Sequence, residues 1–279
     1  MRVSTGELPS PAVVGALVDE AYERFRTNRD GENSTVYPAL GRVDPALFGL
    51  CVVGVSGNSY AAGDADVAFT LMSVAKPFVF ALACDVHGAE AIRADIGVNA
   101  TGMAFNSLEA IERGAEGRTN PMVNPGAIAT TGLVPGATVD DRWTFVLEGL
   151  SAFAGHELTV DDEVYASASE TNHRNREIVD LLVRHHRMAG DPWEALDLYT
   201  RQSSLRVTAR DLAVMGATLA DGGVNPLTGV AVVTPSSCRS TLAVMATAGL
   251  YETSGDWLYE IGLPVGRGLQ GSGGWGWRM

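Results

Sequence analysis

The chain is poor in cysteine, in positive charge and in long apolar runs. Its 279 residues include three cysteines, with no Cys-x-x-Cys pair or Cys/His cluster of the kind that binds a metal ion. No apolar run reaches the roughly 18 residues that a membrane-spanning helix needs. The first residues also lack the apolar segment of a signal peptide. We therefore expect a cytoplasmic protein with no metal ion and no membrane segment.

Acidic residues outnumber basic ones, and the formal net charge is −13 at pH 7. Because proteins contact phosphates mainly through lysine and arginine, this balance argues against binding nucleic acid or an anionic membrane surface. Hydrophobic residues at 46% and charged residues at 19% are ordinary for a globular protein. The length is enough for one large core or two closely packed ones, and the excess of acid is most simply a solubilising surface.

Residues 69–82 place a serine and a lysine three positions apart at the start of an apolar run. Positions three apart share a helix face, so the Lys76 amine can reach the Ser73 hydroxyl. A lysine held partly dry has a lowered pKa and can take the proton that makes a serine nucleophilic. Pro77 is tolerated only in a first turn, which puts Ser73 at the helix entrance, where backbone N–H groups can hold an oxyanion. Taken alone, the spacing also fits a serine that caps a helix and a lysine on a solvated face.

The order of elements predicts a single catalytic unit over residues 1–279. Sheet-containing parts are expected at about 1–72 and 236–279, and a mainly helical part at about 86–235. In the first part an amphipathic helix over Pro11–Phe25 precedes a hairpin. The hairpin has a buried strand at 48–55, a turn at 56–58 and a return strand at 59–63, and a last strand is expected near 261–264.

Further elements follow from capping and turn residues. We expect a helix over 103–112 capped by Asn106, an irregular Asn/Pro/Gly-rich loop at 118–127, helices at 140–153 and 193–203, and a capping box at 208–211 that opens a helix ending at 221. Another helix should follow Pro235 and end at Gly249. The Gly/Trp-rich residues 266–279 contain no recognisable element.

Several short motifs occur together in one order over roughly residues 10–265. They are Tyr37-Pro-Ala-Leu, Ser73-Val-Ala-Lys76, Phe105-Asn-Ser, Asn120-Pro-Met-Val-Asn124, Thr171 with Arg174-Asn175, Tyr199, and Met245-Ala-Thr-Ala-Gly-Leu-Tyr251. The ordered set resembles the serine-dependent glutaminase family, whose fold is similar to that of serine β-lactamases and penicillin-binding proteins. The resemblance implies an α+β fold, an α/β sandwich in which helices flank an antiparallel sheet, with a mainly helical subdomain.

The resemblance also implies catalytic roles. Ser73 would attack the side-chain amide carbon of L-glutamine and form a γ-glutamyl ester, and Lys76 would take its proton. Tyr251 and Tyr37 would relay protons to the leaving ammonia and from the hydrolytic water. Since tyrosine is a poor base at its ordinary pKa of about 10, an adjacent lysine would have to depress that pKa.

For substrate binding, the resemblance implies that Asn124, Asn175 and Tyr199 hold the amino-acid end of L-glutamine, with Ser73 and Tyr251 at its amide. The Ser73 N–H and the backbone near Leu269 would form the oxyanion hole. The products would be L-glutamate and ammonia, with no metal or organic cofactor. The resemblance also implies a homo-oligomer, either a dimer or a tetramer.

Two departures from the family pattern stand out. Ala168, seven residues before Asn175, occupies the place of a glutamate that would pair with the substrate ammonium, and Glu170 is the nearest substitute. Residues 266–269 replace a Lys-Ser-Gly-Val stretch, and the tail that follows resembles a truncation or a shifted reading frame.

These departures keep two other hypotheses open. One is a catalytically impaired or inactive binding protein that retains the pocket. The other is a β-lactamase-like serine hydrolase, against which the expected cytoplasmic location, Tyr251 and the pair of asparagines argue.

Overall fold

The computed structural model describes residues 9–267 and the backbone of residues 276–278. Its helices are α1 Pro11–Phe25, α2 Ala75–His87, α3 Ala89–Ile96, α4 Glu109–Arg113, α5 Asn124–Gly132, α6 Val139–Ala154, α7 Asp162–Thr171, α8 His173–Arg184, α9 Pro192–Ser203, α10 Ala209–Ala220, α11 Pro235–Ala248 and α12 Ser254–Glu260. The strands are β1 Gly49–Val53, β2 Ser59–Gly63, β3 Phe69–Thr70, β4 Arg206–Val207, β5 Val265–Arg267 and β6 Gly276–Arg278.

The described residues form a mostly helical body with small antiparallel sheets. The strands pair as β1–β2, β3–β4 and β5–β6, each a two-stranded antiparallel ladder. The predicted hairpin is confirmed: Gly49 pairs with Gly63 and Val53 with Ser59. The predicted antiparallel pairing is therefore present, but as three separate pairs rather than one sheet.

Helix α2 lies at the centre of the helical body. Residues Ala75 to Cys84 are all buried, so this helix is enclosed on every side rather than amphipathic, and Lys76 is the one charged residue in that stretch. Helices α3, α5, α6 and α11 pack around it. Phe78 is fully buried, with its ring 5.1 Å from that of Phe153, and burial of such a side chain stabilises the fold by about 1.5–3 kcal/mol. The packing of α2 therefore holds the residues at its entrance and first turn, Ser73 and Lys76, in fixed positions.

Several predicted elements differ from the structure. The strand predicted as buried is partly solvent-exposed, since Val52 is 44% exposed. Asn106 does not cap a helix: α4 begins at Glu109, and the Ser107 hydroxyl accepts the Ala110 N–H instead. The predicted last strand lies a few residues later, at β5, and the Gly/Trp-rich tail contributes β6.

The loop predicted at 118–127 becomes helical at Asn124. Pro125 occupies the first turn of α5, where its fixed φ suits a helix start and its missing N–H needs no partner. Gly126 lies against the Asn120 carbonyl, so closely that an added Cβ would stand 2.0 Å from that oxygen. The Asn/Pro/Gly composition thus allows the chain to turn sharply into a buried helix, with the backbone of residue 126 in contact with the Asn120 carbonyl.

Among the described residues, no helix is both long enough and apolar enough to span a bilayer.

Candidate active site

The serine and lysine lie at the entrance of α2. A 3-10 turn over Met72–Val74 leads into the helix, and Met72 has a φ of +49°, a left-handed conformation that costs free energy in a residue with a Cβ. Lys76 Nζ donates to Ser73 Oγ over 3.1 Å. Lys76 is only 3% exposed, so a lysine on a solvated face is excluded.

The surroundings of Lys76 are apolar and amide-like rather than charged. Its Nζ lies 5.8 Å from the centre of the Phe105 ring and 5.5 Å from that of Tyr251. Desolvation by burial lowers the pKa of Lys76 from 10.5 to about 7. The lysine is therefore a base that is largely available near neutral pH.

A buried chain of hydrogen bonds runs away from Lys76 through three asparagines. Lys76 Nζ donates to Asn124 Oδ1 (2.7 Å), and Asn124 Nδ2 donates to Asn175 Oδ1 (2.8 Å). Asn175 Nδ2 then donates to Asn172 Oδ1 (2.7 Å), and Asn172 Nδ2 donates to Thr200 Oγ1 (3.1 Å). The donors all face the same way along this chain, which we call the amide chain.

Both ends of the amide chain fix its direction. At one end both Lys76 Nζ and Tyr199 Oη donate to Asn124 Oδ1, which leaves Asn124 Nδ2 to donate onward to Asn175. At the other end Thr200 donates its own hydroxyl to the Leu196 carbonyl (2.8 Å), so its oxygen is left to accept. Sequence reasoning proposed Asn124 and Asn175 but missed Asn172 and Thr200. The signal for Asn172 was its place inside the Thr171–Asn175 motif.

The three tyrosines singled out in the sequence lie near this centre in different environments. Tyr199 Oη donates to Asn124 Oδ1 (3.2 Å), and burial raises its pKa well above 10. Tyr251 Oη donates to the Arg267 carbonyl (3.2 Å). Tyr37 is partly buried and packs beside Met72, and burial raises its pKa too.

Tyr251 departs from the expectation of a depressed pKa. Burial raises its pKa to about 12, and hydrogen bonding with Ser73 offsets only part of that effect. Its backbone is also left-handed, with a φ of +58°. The ring lies 5.3 Å from that of Phe105, so a strained backbone and a packed ring together hold the hydroxyl near the serine.

A small cavity of about 80 Å³ opens above Ser73 between the entrance of α2 and helices α5, α7, α8 and α9. Ser73, Tyr37, Asn124, Asn175 and Tyr199 all line it. The structure therefore brings these five predicted site residues to one cavity, with Lys76 buried behind the serine.

Three other expectations concern Ala168 with Glu170, the stretch that begins at residue 266, and Leu269. Ala168 lines the cavity, but α7 is helical there and Glu170 is exposed and outside the cavity wall. Arg267 contributes its carbonyl to Tyr251. Leu269, expected to supply half of the oxyanion hole, lies outside the described residues.

A larger cavity of about 350 Å³ lies beside α3 and α4 and contains none of the predicted site residues. Its arginines, Arg93, Arg113 and Arg118, each form an ion pair with a neighbouring glutamate. The chemistry-bearing groups gather at the smaller cavity. Among the described residues, no three His, Cys, Asp or Glu side chains group in a way that could hold a metal ion.

Comparison with known proteins matches this chain to the glutaminase family. The glutaminase family profile matches residues 31–273. "Glutaminase 2" of Yersinia pestis is 62% identical over 269 residues, which is 96% of this chain and 79% of the relative. "Glutaminase" of Colwellia psychrerythraea is 43% identical over 263 residues, 94% of this chain and 85% of the relative.

Solved structures agree. The structure titled "Probable glutaminase ybaS" is 40% identical with a TM-score of 0.91, and the alignment covers 94% of this chain and 85% of that one. The structure of "Mglu in its glutamate form" is 32% identical with a TM-score of 0.87, covering 94% of this chain and 60% of that one. The family and enzyme class predicted from the motifs are confirmed: the chain belongs to the glutaminase family.

Proposed function

We propose that the chain hydrolyses L-glutamine to L-glutamate and ammonia through a γ-glutamyl ester on Ser73. The observation that carries this proposal is the 3.1 Å contact between Ser73 Oγ and Lys76 Nζ, an amine with a pKa of about 7. Relatives named glutaminase at up to 62% identity, and a similar structure titled as a glutamate form, support the substrate.

In the first half-reaction Ser73 Oγ bonds to the amide carbon while its proton passes to Lys76 Nζ. The carbonyl becomes an oxyanion, then re-forms as the C–N bond breaks and the nitrogen leaves with a proton as ammonia. In the second half-reaction water adds to the ester carbon, and Ser73 leaves with a proton. L-Glutamate and the free serine result, and no proton or electron pair is left over.

Tyr251 acts as a proton donor in this scheme. With a pKa of about 12 it stays protonated near neutral pH, so it can donate to the leaving nitrogen and be reprotonated from Lys76, whose Nζ lies 5.5 Å from the ring centre. Tyr37, on the cavity wall, is placed to serve the hydrolytic water in the second half-reaction.

The substrate's amino-acid end would be held by Asn124, Asn175 and Tyr199, which line the cavity and are joined by hydrogen bonds through Asn124. The Ser73 N–H, at the positive end of the buried helix α2, would form half of the oxyanion hole. The backbone near Leu269 would form the other half.

We further propose that the fold is the β-lactamase-like α/β sandwich of this family, built as a single catalytic unit over 1–279. A soluble cytoplasmic homo-oligomer, dimer or tetramer, fits the acidic surface and the family resemblance. Light scattering on the purified chain would measure the assembly directly.

Ammonia release from L-glutamine, measured beside a Ser73→Ala variant, tests the proposed reaction. Activity in the natural chain that the variant loses supports the serine mechanism. Activity that survives in the variant overturns it. No release from either protein would favour an impaired glutaminase-like binding protein, and turnover of a chromogenic β-lactam would favour the other hydrolase.

A further inference from the structure

We infer that the Ser73 cavity accepts five-carbon ω-amides that lack a charged 2-ammonium group, such as glutaramate or its 2-oxo derivative, at least as well as L-glutamine. This inference rests on the proposed function, because it defines the substrate class of the same site.

The described part of the cavity wall carries no negative charge. None of the described residues that line it is an aspartate or a glutamate, and the one formally charged side chain among them is Arg174. Among these residues a substrate ammonium would meet no carboxylate, whereas a substrate carboxylate would meet a cation.

Arg174 is held at the cavity by its own contacts. Its Nε donates to the Asn106 carbonyl (2.9 Å), and its Nη1 pairs with Glu177 (2.8 Å), an exposed residue that does not line the cavity. The guanidinium therefore stays beside the cavity with its partner acid on the solvent side. Such a cation favours an anionic substrate and disfavours a nearby ammonium.

The amide chain offers a ligand more spare donors than spare acceptors, because three N–H groups remain beside one lone pair each on Asn175 Oδ1 and Asn172 Oδ1. Asn124 Oδ1 already accepts from both Lys76 and Tyr199, which uses its two lone pairs. Asn175 Oδ1 accepts from Asn124, while each asparagine in the chain retains a second N–H. Spare N–H groups bind carboxylate and oxo oxygens and cannot accept from an ammonium.

The remaining side-chain oxygens on the described cavity wall are neutral amide and hydroxyl oxygens. The hydroxyls of Thr200, Ser203 and Ser204 already donate to helix carbonyls four residues back. A neutral oxygen can accept from an ammonium but cannot neutralise its charge, and burying an unpaired charge is costly. An uncharged group at carbon 2 avoids this cost.

Size does not exclude the analogues that lack the ammonium. A hydrogen, hydroxyl or oxo group at carbon 2 is no larger than the ammonium that it replaces, so the cavity that admits L-glutamine admits these analogues too. Ala168, 2% exposed, faces this space from α7. A glutamate at position 168 would therefore add the carboxylate that the described wall lacks.

The test compares ligands that differ only in the ammonium. Calorimetry measures the binding of glutarate and L-glutamate to the natural chain, and kcat/KM is measured for glutaramate and L-glutamine. We expect glutarate to bind at least as tightly as L-glutamate and glutaramate to be hydrolysed at least as efficiently as L-glutamine. Tighter binding of L-glutamate together with a higher kcat/KM for L-glutamine overturns the inference.

Two variants separate charge from size. Ala168→Glu should shift both ratios toward the ammonium-bearing ligand by about tenfold or more, the usual strength of a charge-assisted contact. Ala168→Gln, nearly the same size without the charge, should not produce that shift. Equal shifts in the two variants would overturn the charge argument. If Ala168→Glu does not fold, the ligand ratios on the natural chain still decide.

The experiments distinguish failure of the proposed reaction from failure of the inference about ligand charge. If neither amide releases ammonia in a Ser73-dependent way, the proposed reaction fails. The binding comparison then decides alone: glutarate bound as tightly as L-glutamate supports the inference about the pocket, and tighter binding of L-glutamate overturns it.

Discussion

Lys76 can be a neutral amine near pH 7 because its described contacts include no carboxylate. An ion pair with a carboxylate would hold the amine in its charged form, but the described contacts of Lys76 are a hydroxyl, an amide oxygen and two aromatic rings. The lowered pKa therefore follows from burial at the first turn of α2. This environment depends on residues distant in sequence, so the Ser-x-x-Lys spacing could predict the contact but not the size of the effect.

The first prediction concerns pH. Because the neutral amine is the active form, kcat/KM should fall about tenfold per pH unit below pH 7 and level off above it. A Lys76→Arg variant stays charged and should lose activity by a factor of about 10²–10⁴ at all pH values. Steady-state profiles between pH 5.5 and about 9 check this, with circular dichroism as the folding control. A flat profile in the natural chain would contradict the role of Lys76.

The second prediction concerns the Tyr251 hydroxyl. Tyr251→Phe keeps the ring beside Phe105 and Lys76 but removes the proton donor, so kcat/KM should fall by about 10²–10⁴. The free energy of unfolding should fall by about 0.5–1.5 kcal/mol for each neutral hydrogen bond lost, to the Arg267 carbonyl and to Ser73. Kinetics and urea denaturation on the same preparation measure both. Activity within tenfold of the natural chain would remove Tyr251 from proton transfer.

At the scale of elements, the sequence predicted those with a regular hydrophobic period or a capping motif. It did not predict those that depend on contacts between distant residues. Helix α1 and the hairpin follow from their patterns, and the capping box at Thr208 is present with both of its hydrogen bonds. The pair β3–β4 was missed because two-residue strands have no periodicity, and their pairing joins residues over a hundred positions apart. The start of α5 was missed because its Asn/Pro/Gly composition also describes loops.

The third prediction tests the tight entry into α5. Gly126→Ala would push the Asn120 carbonyl away from the first turn of α5 and shift Asn124 from Lys76. We expect a loss of about 1–3 kcal/mol in stability from overpacking and a larger proportional loss of kcat/KM. Gly255→Ala in α12 is the matched control: a Cβ there meets nothing within 4 Å, and stability should rise by about 0.5–1 kcal/mol. Equal effects of the two changes would contradict this account.

At the scale of the whole molecule, one core contains residues from both the sheet-containing and the helical parts that the sequence analysis distinguished within a single unit. The cluster around α2 includes Leu71 and Met245 from the proposed sheet-containing parts and Val146, Phe153 and Leu219 from the helical part. The β5 strand also backs onto this cluster, with the Gly266 backbone beside Met245 and Pro77. Such sharing favours a single folding unit.

The fourth prediction follows from that core. Calorimetric unfolding should show one transition, and a Phe153→Ala variant should lower its midpoint without dividing it, because both parts lose the same packing. A calorimetric enthalpy equal to the van't Hoff enthalpy is the criterion. Two resolved transitions, with Phe153→Ala moving only one, would show that the two parts fold independently.

Lys76 is also the only lysine in the sequence, and its burial makes it a built-in reporter of opening. An amine-selective acylating reagent finds a single lysine in this chain, and that lysine is closed off while α2 stays packed. The rate at which peptide mass spectrometry detects acylated Lys76 therefore measures how often the core opens. A bound ligand that stabilises the cavity should slow that rate by the same factor by which it protects the fold, without any engineered label.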